Sequence, residues 1–177
     1  MLNFDSPVVL EHLEALYWIP ERETEIPASI QSVLDKHPWM AGHPAIAALQ
    51  NLAGLHIGKV GKGQQCASSD IAFGWNEPDF TGKGQDDDLL IWEKRLDTSL
   101  IQLAETHHAH SQLLMARDGR CFSWSFFGIC YEGDNLQQAL VHLLLGICAR
   151  PMLEPGQSST TLYGLKYQAG DPEIYRY

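Results

Sequence analysis

Closely spaced glycines and lysines give this chain one segment that resembles a phosphate-binding loop. The residues are Gly54, Gly58, Gly61 and Gly63, together with Lys59 and Lys62. A Walker loop requires the pattern G-x-x-x-x-G-K-[ST], whereas Lys62 is followed by Gly63. A dinucleotide-binding fingerprint also fails, because Cys66 stands where its third glycine should be. We therefore expect a strand end and a turn here, with no nucleotide site.

Three histidines, His107, His108 and His110, could be metal ligands, since imidazole is a common ligand in proteins. Zinc needs three or four ligands in tetrahedral geometry. The spacing i, i+1, i+3 in a predicted loop offers no helix face for this, and the chain has no H-E-x-x-H motif. We expect a structural or surface role for these histidines. A metal-dependent enzyme that uses them is one alternative.

Nucleophilic side chains are present, but their surroundings do not favour catalysis. Cys121 and Cys130 lie in an apolar strand pattern, where burial tends to raise the pKa of a thiol. Ser68, Ser69 and Asp70 lack the G-x-S-x-G context of a nucleophile elbow. The sequence therefore predicts a protein that is not an enzyme and has no catalytic residue, cofactor or metal.

An acidic run begins a predicted helix in the middle of the chain. Asp86-Asp87-Asp88 precede Leu89, Leu90, Trp92 and Leu96, which are spaced as on one helical face. Carboxylates there complement the helix macrodipole, each by about 0.3–1 kcal/mol, but three are more than a cap needs. With Glu77 and Asp79 they could form an acidic patch. Two interpretations stay open, a plain helix start and a partner-binding surface. The candidate partner-binding residues are Glu77, Asp79, Asp86, Asp87 and Asp88.

Charge is distributed unevenly along the chain. The net charge is −10, and residues 61–110 contain nine acidic and four basic side chains. Such a surface disfavours nucleic-acid binding, which needs lysine and arginine on phosphate. It favours a basic protein partner and steered association. Solubility alone is the alternative explanation.

Length and composition predict a single domain over residues 1–177, with a real core. The hydrophobic class makes up 45% of the 177 residues, which argues against disorder. We find no apolar run long enough for a membrane span and no basic region before an apolar block that would indicate a secretion signal. The four cysteines lie far apart, without a C-x-x-C pair. We therefore expect reduced thiols in a cytoplasmic protein.

Residues 111–150 carry the strongest signals for secondary structure. Asp118-Gly119 lies between apolar runs and predicts a hairpin of strands at 111–117 and 120–131, with positive φ at both turn residues. Glu132-Gly133 is expected to end the second strand. Asp134 can then cap a helix, with Gln137 in a capping box and Pro151 as its end. The apolar stripe of this helix comprises Leu136, Leu140, Leu143, Leu144 and Ile147.

The remaining elements follow from caps and periodicity. Helices are predicted after Ser6-Pro7, Pro27 and Pro44, so residues 1–54 should be helical. Strands are predicted at 55–60, 71–75, 100–103 and 160–167. Residues 55–153 should hold the sheet with its helices, and residues 154–177 a C-terminal extension.

Five segments of the chain form an ordered set of motifs. They are Tyr17-Trp18-Ile19-Pro20-Glu21-Arg22, Leu52-Ala53-Gly54-Leu55, residues 66–71, residues 113–120, and Ala139-Leu140 with Leu144-Leu145-Gly146 and Pro151. Taken in this order, they resemble the third subfamily of the SUKH superfamily, bacterial immunity proteins of polymorphic toxin systems. The first segment is similar to that subfamily's Gly-Trp-x-Pro-Gly-Arg, and the second to its Phe-Gly-Gly-Leu.

The resemblance implies an α+β fold, in which N-terminal helices and a C-terminal helix pack on a curved, mostly antiparallel sheet. It also implies a non-enzymatic protein that binds and neutralises a cognate toxin domain, frequently a nuclease. The negative charge is compatible with such a partner, since a nuclease surface that grips phosphate is basic. A regulatory adaptor of the same superfamily that binds a cellular protein is the other alternative. The resemblance identifies neither the toxin, nor the surface that binds it, nor the oligomeric state.

Overall fold

The structure is a computed structural model, and it describes residues 2–77, 80 and 87–177. Within these residues the α+β fold is confirmed, with six helices and a strongly curled antiparallel sheet. The helices are α1 (Pro7–Glu14), α2 (Ala28–Lys36), α3 (Pro38–Ala41), α4 (Pro44–Leu52), α5 (Asp87–Leu96) and α6 (Leu136–Leu145).

The main sheet is an antiparallel meander, since its strands pair in chain order from β1 to β7. Its strands are β1 (His56–Lys62), β2 (Ala67–Phe73), β3 (Leu100–Thr106), β4 (Ser111–Ala116), β5 (Cys121–Ser125), β6 (Gly128–Gly133) and β7 (Arg150–Pro151). A separate hairpin follows, formed by β8 (Ser159–Leu162) and β9 (Leu165–Gln168).

Both faces of the sheet are covered. Leu113 and Met115 pack in a core with α1, α2, α3, α4 and α6. Leu114 and Ala116, which alternate with them along β4, pack in a second core with α5. Because successive side chains of a strand point to opposite faces, the two cores lie on opposite sides of the sheet. Among the described helices, only α5, which begins with the acidic run, packs in this second core.

The predicted N-terminal helices are confirmed. Ser6 and Pro7 begin α1, Pro27 precedes α2, and Pro44 begins α4. The short helix α3 was not predicted. At the N-terminus of α4, the buried His43 ring accepts a hydrogen bond from the backbone N–H of Ala45 at 3.2 Å, a capping role that the sequence did not indicate.

The first motif of the resemblance has a structural role. The Trp18 indole donates to the Asn51 side chain at 2.8 Å, and the amide of Asn51 donates to the carbonyls of Pro20 and Arg22. The Arg22 guanidinium donates to the carbonyls of Asn51 and Ala53 at 2.6 and 2.8 Å. These bonds satisfy carbonyls at the C-terminal end of α4, which have no partner within the helix. The segment therefore fastens the N-terminal region to α4.

The predicted hairpin at Asp118-Gly119 is present between β4 and β5, with two corrections. Of the two residues only Gly119 has a positive φ, at 92°, because the residues from Arg117 to Arg120 connect the strands in a loop that is longer than a two-residue turn. The prediction of one strand over 120–131 is wrong. That stretch turns at Phe126-Phe127 and forms the two antiparallel strands β5 and β6. The predicted strand end at Glu132-Gly133 is confirmed, since these two residues are the last of β6.

The C-terminal helix begins one residue later than predicted. Asn135, not Asp134, is the N-cap of α6, and its side chain accepts from the Gln138 N–H at 3.0 Å. The Gln138 side chain accepts in return from the N–H of Asp134, the residue before the N-cap, at 2.8 Å, an arrangement similar to a capping box but shifted by one residue. Gly146, in a left-handed conformation with φ of 62°, ends the helix before Pro151 is reached.

The C-terminal extension contributes to the second core. The predicted strand at 160–167 is wrong in the same way as that at 120–131, since a turn at Tyr163-Gly164 divides it into β8 and β9. Further on, the Tyr175 ring stacks on Tyr131 with centroids 3.9 Å apart, and it packs edge-on against Phe122.

Candidate functional site

The N-terminus of α5 displays the acidic side chains that the sequence singled out. Asp87 and Asp88 are exposed in its first turn, while Leu89, Trp92 and Leu96 are buried. Glu77 is also exposed and accepts a hydrogen bond from the Ser29 hydroxyl of α2 at 2.6 Å. Asp79 and Asp86 lie outside the described residues. Of the five candidates, Asp87 and Asp88 therefore lie together at the N-terminus of α5, and Glu77 contacts α2.

A groove runs between α5 and the β5–β6 hairpin, with a volume of about 430 Å³. Asp88, Ile91 and Arg95 line it from the helix. Its lining also includes Trp92, Ile129 and Met152, which are almost fully buried in the second core. The acidic helix start therefore borders a concave surface with buried apolar side chains at its floor and polar side chains, among them Ser125, Gln157 and Thr160, around them.

Two phenylalanines stand at the tip of the β5–β6 hairpin, at the mouth of this groove. Phe126 is 98% exposed and Phe127 76% exposed, and their rings pack edge-on with centroids 5.8 Å apart. Gly128 has a φ of 105°, and the Ser125 hydroxyl accepts from the Phe127 N–H at 3.2 Å. Sequence reasoning missed this site because the aromatic residues Phe122, Trp124 and Phe126 occur at every second position up to the turn, as they would in one continuous strand. The available signal was serine and glycine at the first and fourth turn positions.

Arg95 lines the groove, and a neighbouring carboxylate balances its charge. Arg95 pairs with Glu154 at 3.4 Å. Its guanidinium also lies over the Trp92 ring, 4.7 Å from the centroid. Among the described side chains lining the groove, Asp88 and Glu154 thus outnumber this single cation. The concave surface is apolar at its floor and acidic at its rim.

The histidine segment forms a tight turn around Asp70. His107, His108 and Ala109 all have positive φ. The Asp70 carboxylate accepts from the His108 backbone N–H at 2.8 Å and lies 3.2 Å from ring nitrogens of His56 and His108. Burial alone would raise the pKa of Asp70, but these contacts bring it below the ordinary value. The arrangement stabilises a strained turn.

Among the residues that the structure describes, no group of three or more histidine, cysteine, aspartate or glutamate side chains is arranged to hold a metal ion. His107 and His108 take different partners, since His107 lies at Ser69 and His108 at Asp70.

The four cysteines are free thiols, and the pKa is raised for three of them, Cys66, Cys121 and Cys130. Burial raises the pKa of Cys130 to about 12 and raises that of Cys121 further. The pKa of Cys66 is raised to about 12, mainly by burial and to a smaller extent by a hydrogen bond with the Cys148 thiol. Since the thiolate is the nucleophile, these three thiols are unsuited to nucleophilic chemistry at neutral pH.

Two glycines of the segment that resembles a phosphate loop, Gly58 and Gly63, are required by packing. A Cβ at Gly58, where φ is 72°, would lie 2.5 Å from the Ser69 carbonyl oxygen and 2.7 Å from a Leu144 methyl group. A Cβ at Gly63 would collide with the Cys66 carbonyl oxygen. The glycines therefore allow β1 and its turn to approach β2 and α6 closely.

Comparison with known proteins gives one match. A family model described as SUKH-3 immunity protein matches residues 5–146, which is more than half of the chain. No curated protein and no solved structure matches. Within residues 2–77, 80 and 87–177, no helix is long and apolar enough to cross a bilayer. The matched range contains the N-terminus of α5, the hairpin tip and the motifs of the resemblance, with the exception of Pro151. The chain belongs to the SUKH-3 immunity protein family.

Proposed function

We propose that this protein binds a cognate toxin domain in the cytoplasm and neutralises it by protein–protein interaction, without catalysing a reaction. The support is its membership of an immunity protein family. The observation that carries the binding surface is the position of Asp87 and Asp88, exposed at the start of α5 beside a groove that has apolar side chains at its floor. Glu77, Asp79 and Asp86 complete the proposed acidic surface.

The charge of the protein suggests the nature of the toxin. A chain of net charge −10 attracts a basic partner over distances of several ångströms and speeds their encounter. A nuclease fits this description, because the surface that holds its nucleic-acid substrate must be rich in lysine and arginine. An acidic protein that covers such a surface would block access of the substrate.

Charge reversal at the helix start tests this function. The toxin domain encoded next to this chain's gene, made catalytically inactive, is the binding probe. The variant Asp87→Lys/Asp88→Lys should associate about tenfold more slowly than the parent at low salt, and its rate should depend less on salt. The rates are measured by stopped-flow fluorescence over a series of salt concentrations.

The matched control is Glu11→Lys/Glu14→Lys, which changes the net charge equally. These two glutamates are exposed on α1, which packs on the opposite face of the sheet. An unchanged rate and salt slope in the α5 variant would remove the acidic helix start from the mechanism. Equal slowing in both variants would mean that only net charge matters.

A further inference from the structure

We propose that the groove between α5 and the β5–β6 hairpin is the principal docking surface, and that its occupant is an apolar segment of the toxin domain flanked by lysine or arginine. This inference rests on the proposed function and adds the anchor residues and the chemistry of the contact. The toxin segment would lay an aliphatic or aromatic side chain against Phe126 and Phe127. Its cations would meet the acidic rim at Asp88 and Glu154.

The hairpin tip supplies the strongest argument. Two adjacent phenylalanines at 98% and 76% exposure keep a large apolar surface in water. The turn itself does not need them, because Ser125 and Gly128 provide its hydrogen bond and its positive φ. Contiguous exposed apolar surface on a folded protein marks an interaction site, and aromatic residues are enriched at such sites.

The groove extends the exposed apolar surface of the hairpin tip towards α5. Ile91, which is 42% exposed, adds apolar surface on the helix side. The floor is formed by side chains packed in the second core, so it keeps its shape without a partner. A preformed concave surface beside projecting aromatic anchors suits a protein segment, because such a segment can cover the floor and the tip together. A small molecule in the groove would leave Phe126 in water.

Charge decides between a basic partner and a second copy of this chain. Asp88 and Glu154 lie at the rim, and Asp87 is adjacent on the helix. The lining cation, Arg95, is engaged by Glu154 and stacked on Trp92. Two copies meeting at this surface would bring acidic rims together on chains of net charge −10, which is unfavourable. A partner bearing lysine or arginine would be attracted.

The test compares two aromatic substitutions that differ in location. The inactive toxin domain is titrated by calorimetry against Phe126→Ser/Phe127→Ser and against Tyr17→Ser. Tyr17 is 94% exposed and follows α1, on the opposite face of the sheet. We expect the tip variant to bind about 100-fold more weakly, mainly through faster dissociation, since it loses two anchor side chains. Tyr17→Ser should bind within about twofold of the parent, since hot-spot energy is confined to the interface.

Hydrogen exchange supplies a readout that needs no substitution. Amides of residues 88–95 and 124–129 should exchange more slowly when the toxin domain is bound. Parental affinity in the tip variant, together with unchanged exchange there, would overturn this docking surface and leave the proposed function standing. Failure of the unmodified protein to bind the toxin domain would overturn the proposed function itself. If the protein forms a homodimer that the tip substitutions dissociate, the groove is occupied by a second copy of this chain and not by the toxin.

Discussion

At the scale of the residue, Glu132 is a carboxylic acid in a buried environment. It lies in β6, is 3% exposed, and burial raises its pKa to about 7, with a hydrogen bond from Ser123 offsetting part of the rise. Because the folded pKa lies above the unfolded value near 4.5, the folded state holds a proton more tightly. Stability is therefore retained below pH 4.5 and lost as the pH rises towards 7.

The variant Glu132→Gln should remove this loss while keeping a hydrogen-bonding group for Ser123. We expect its free energy of unfolding to exceed that of the parent by an amount that grows between pH 4.5 and 7, reaching about 3 kcal/mol above pH 7. Urea denaturation at pH 4.5, 6 and 8 measures this difference. Glu105→Gln, at an exposed position of β3, should show no such growth. A pH-independent difference for Glu132→Gln would contradict the raised pKa.

At the scale of the element, the contact between β1 and α6 depends on a glycine. Gly58 combines a positive φ with a close approach to the Ser69 carbonyl and the Leu144 side chain. A side chain at this position would strain the backbone and overpack the contact at once. The glycine pattern that resembled a nucleotide loop is thus a consequence of packing between a strand and a helix.

Gly58→Ala should lower the free energy of unfolding by about 2–4 kcal/mol, from the sum of backbone strain and overpacking. Gly74→Ala is the matched control, because Gly74 has no positive φ and a Cβ there would meet nothing within 4 Å. Thermal and urea denaturation of both variants gives the comparison. Equal stability of the two would show that α6 can move away from β1 at little cost.

At the scale of the whole molecule, the chain beyond the family match completes the second core. The matched region ends at residue 146, yet Tyr175 stacks on Tyr131 and Tyr177 packs edge-on against Trp92. Arg150 donates to the carbonyls of Pro172 and Ile174, which holds the end of the chain against β7. The C-terminal extension therefore supports the floor of the groove.

Tyr175→Ala should destabilise the protein by about 2 kcal/mol, since a half-buried stacked ring is removed from the second core. Arg176→Ala, at the exposed neighbouring position, should change stability by less than about 0.5 kcal/mol. The free energies of unfolding are obtained from urea titrations. Parental stability in Tyr175→Ala would mean that the extension is not a part of the core.

The sequence by itself determined the fold class, most helix and strand positions and the family. Ser6-Pro7, Pro44 and Asp118-Gly119 could be interpreted without the tertiary structure, because caps and turns depend on neighbouring residues. The same local reasoning failed for residues 120–131 and 160–167. There an apolar pattern continues through a turn, and only pairing between strands shows where the chain reverses.

The tertiary structure decided where the candidate site lies. Sequence reasoning placed Phe126 inside one continuous strand over 120–131 and the function in the acidic run. The structure buries Phe122 but exposes Phe126, and it places Asp88 on the same groove as that hairpin tip. Residues 88 and 126 are far apart in sequence, and α5 meets the hairpin only after the sheet has curled. Whether an aromatic side chain is core or surface depends on which elements come to cover it, and that is a property of the assembled layers.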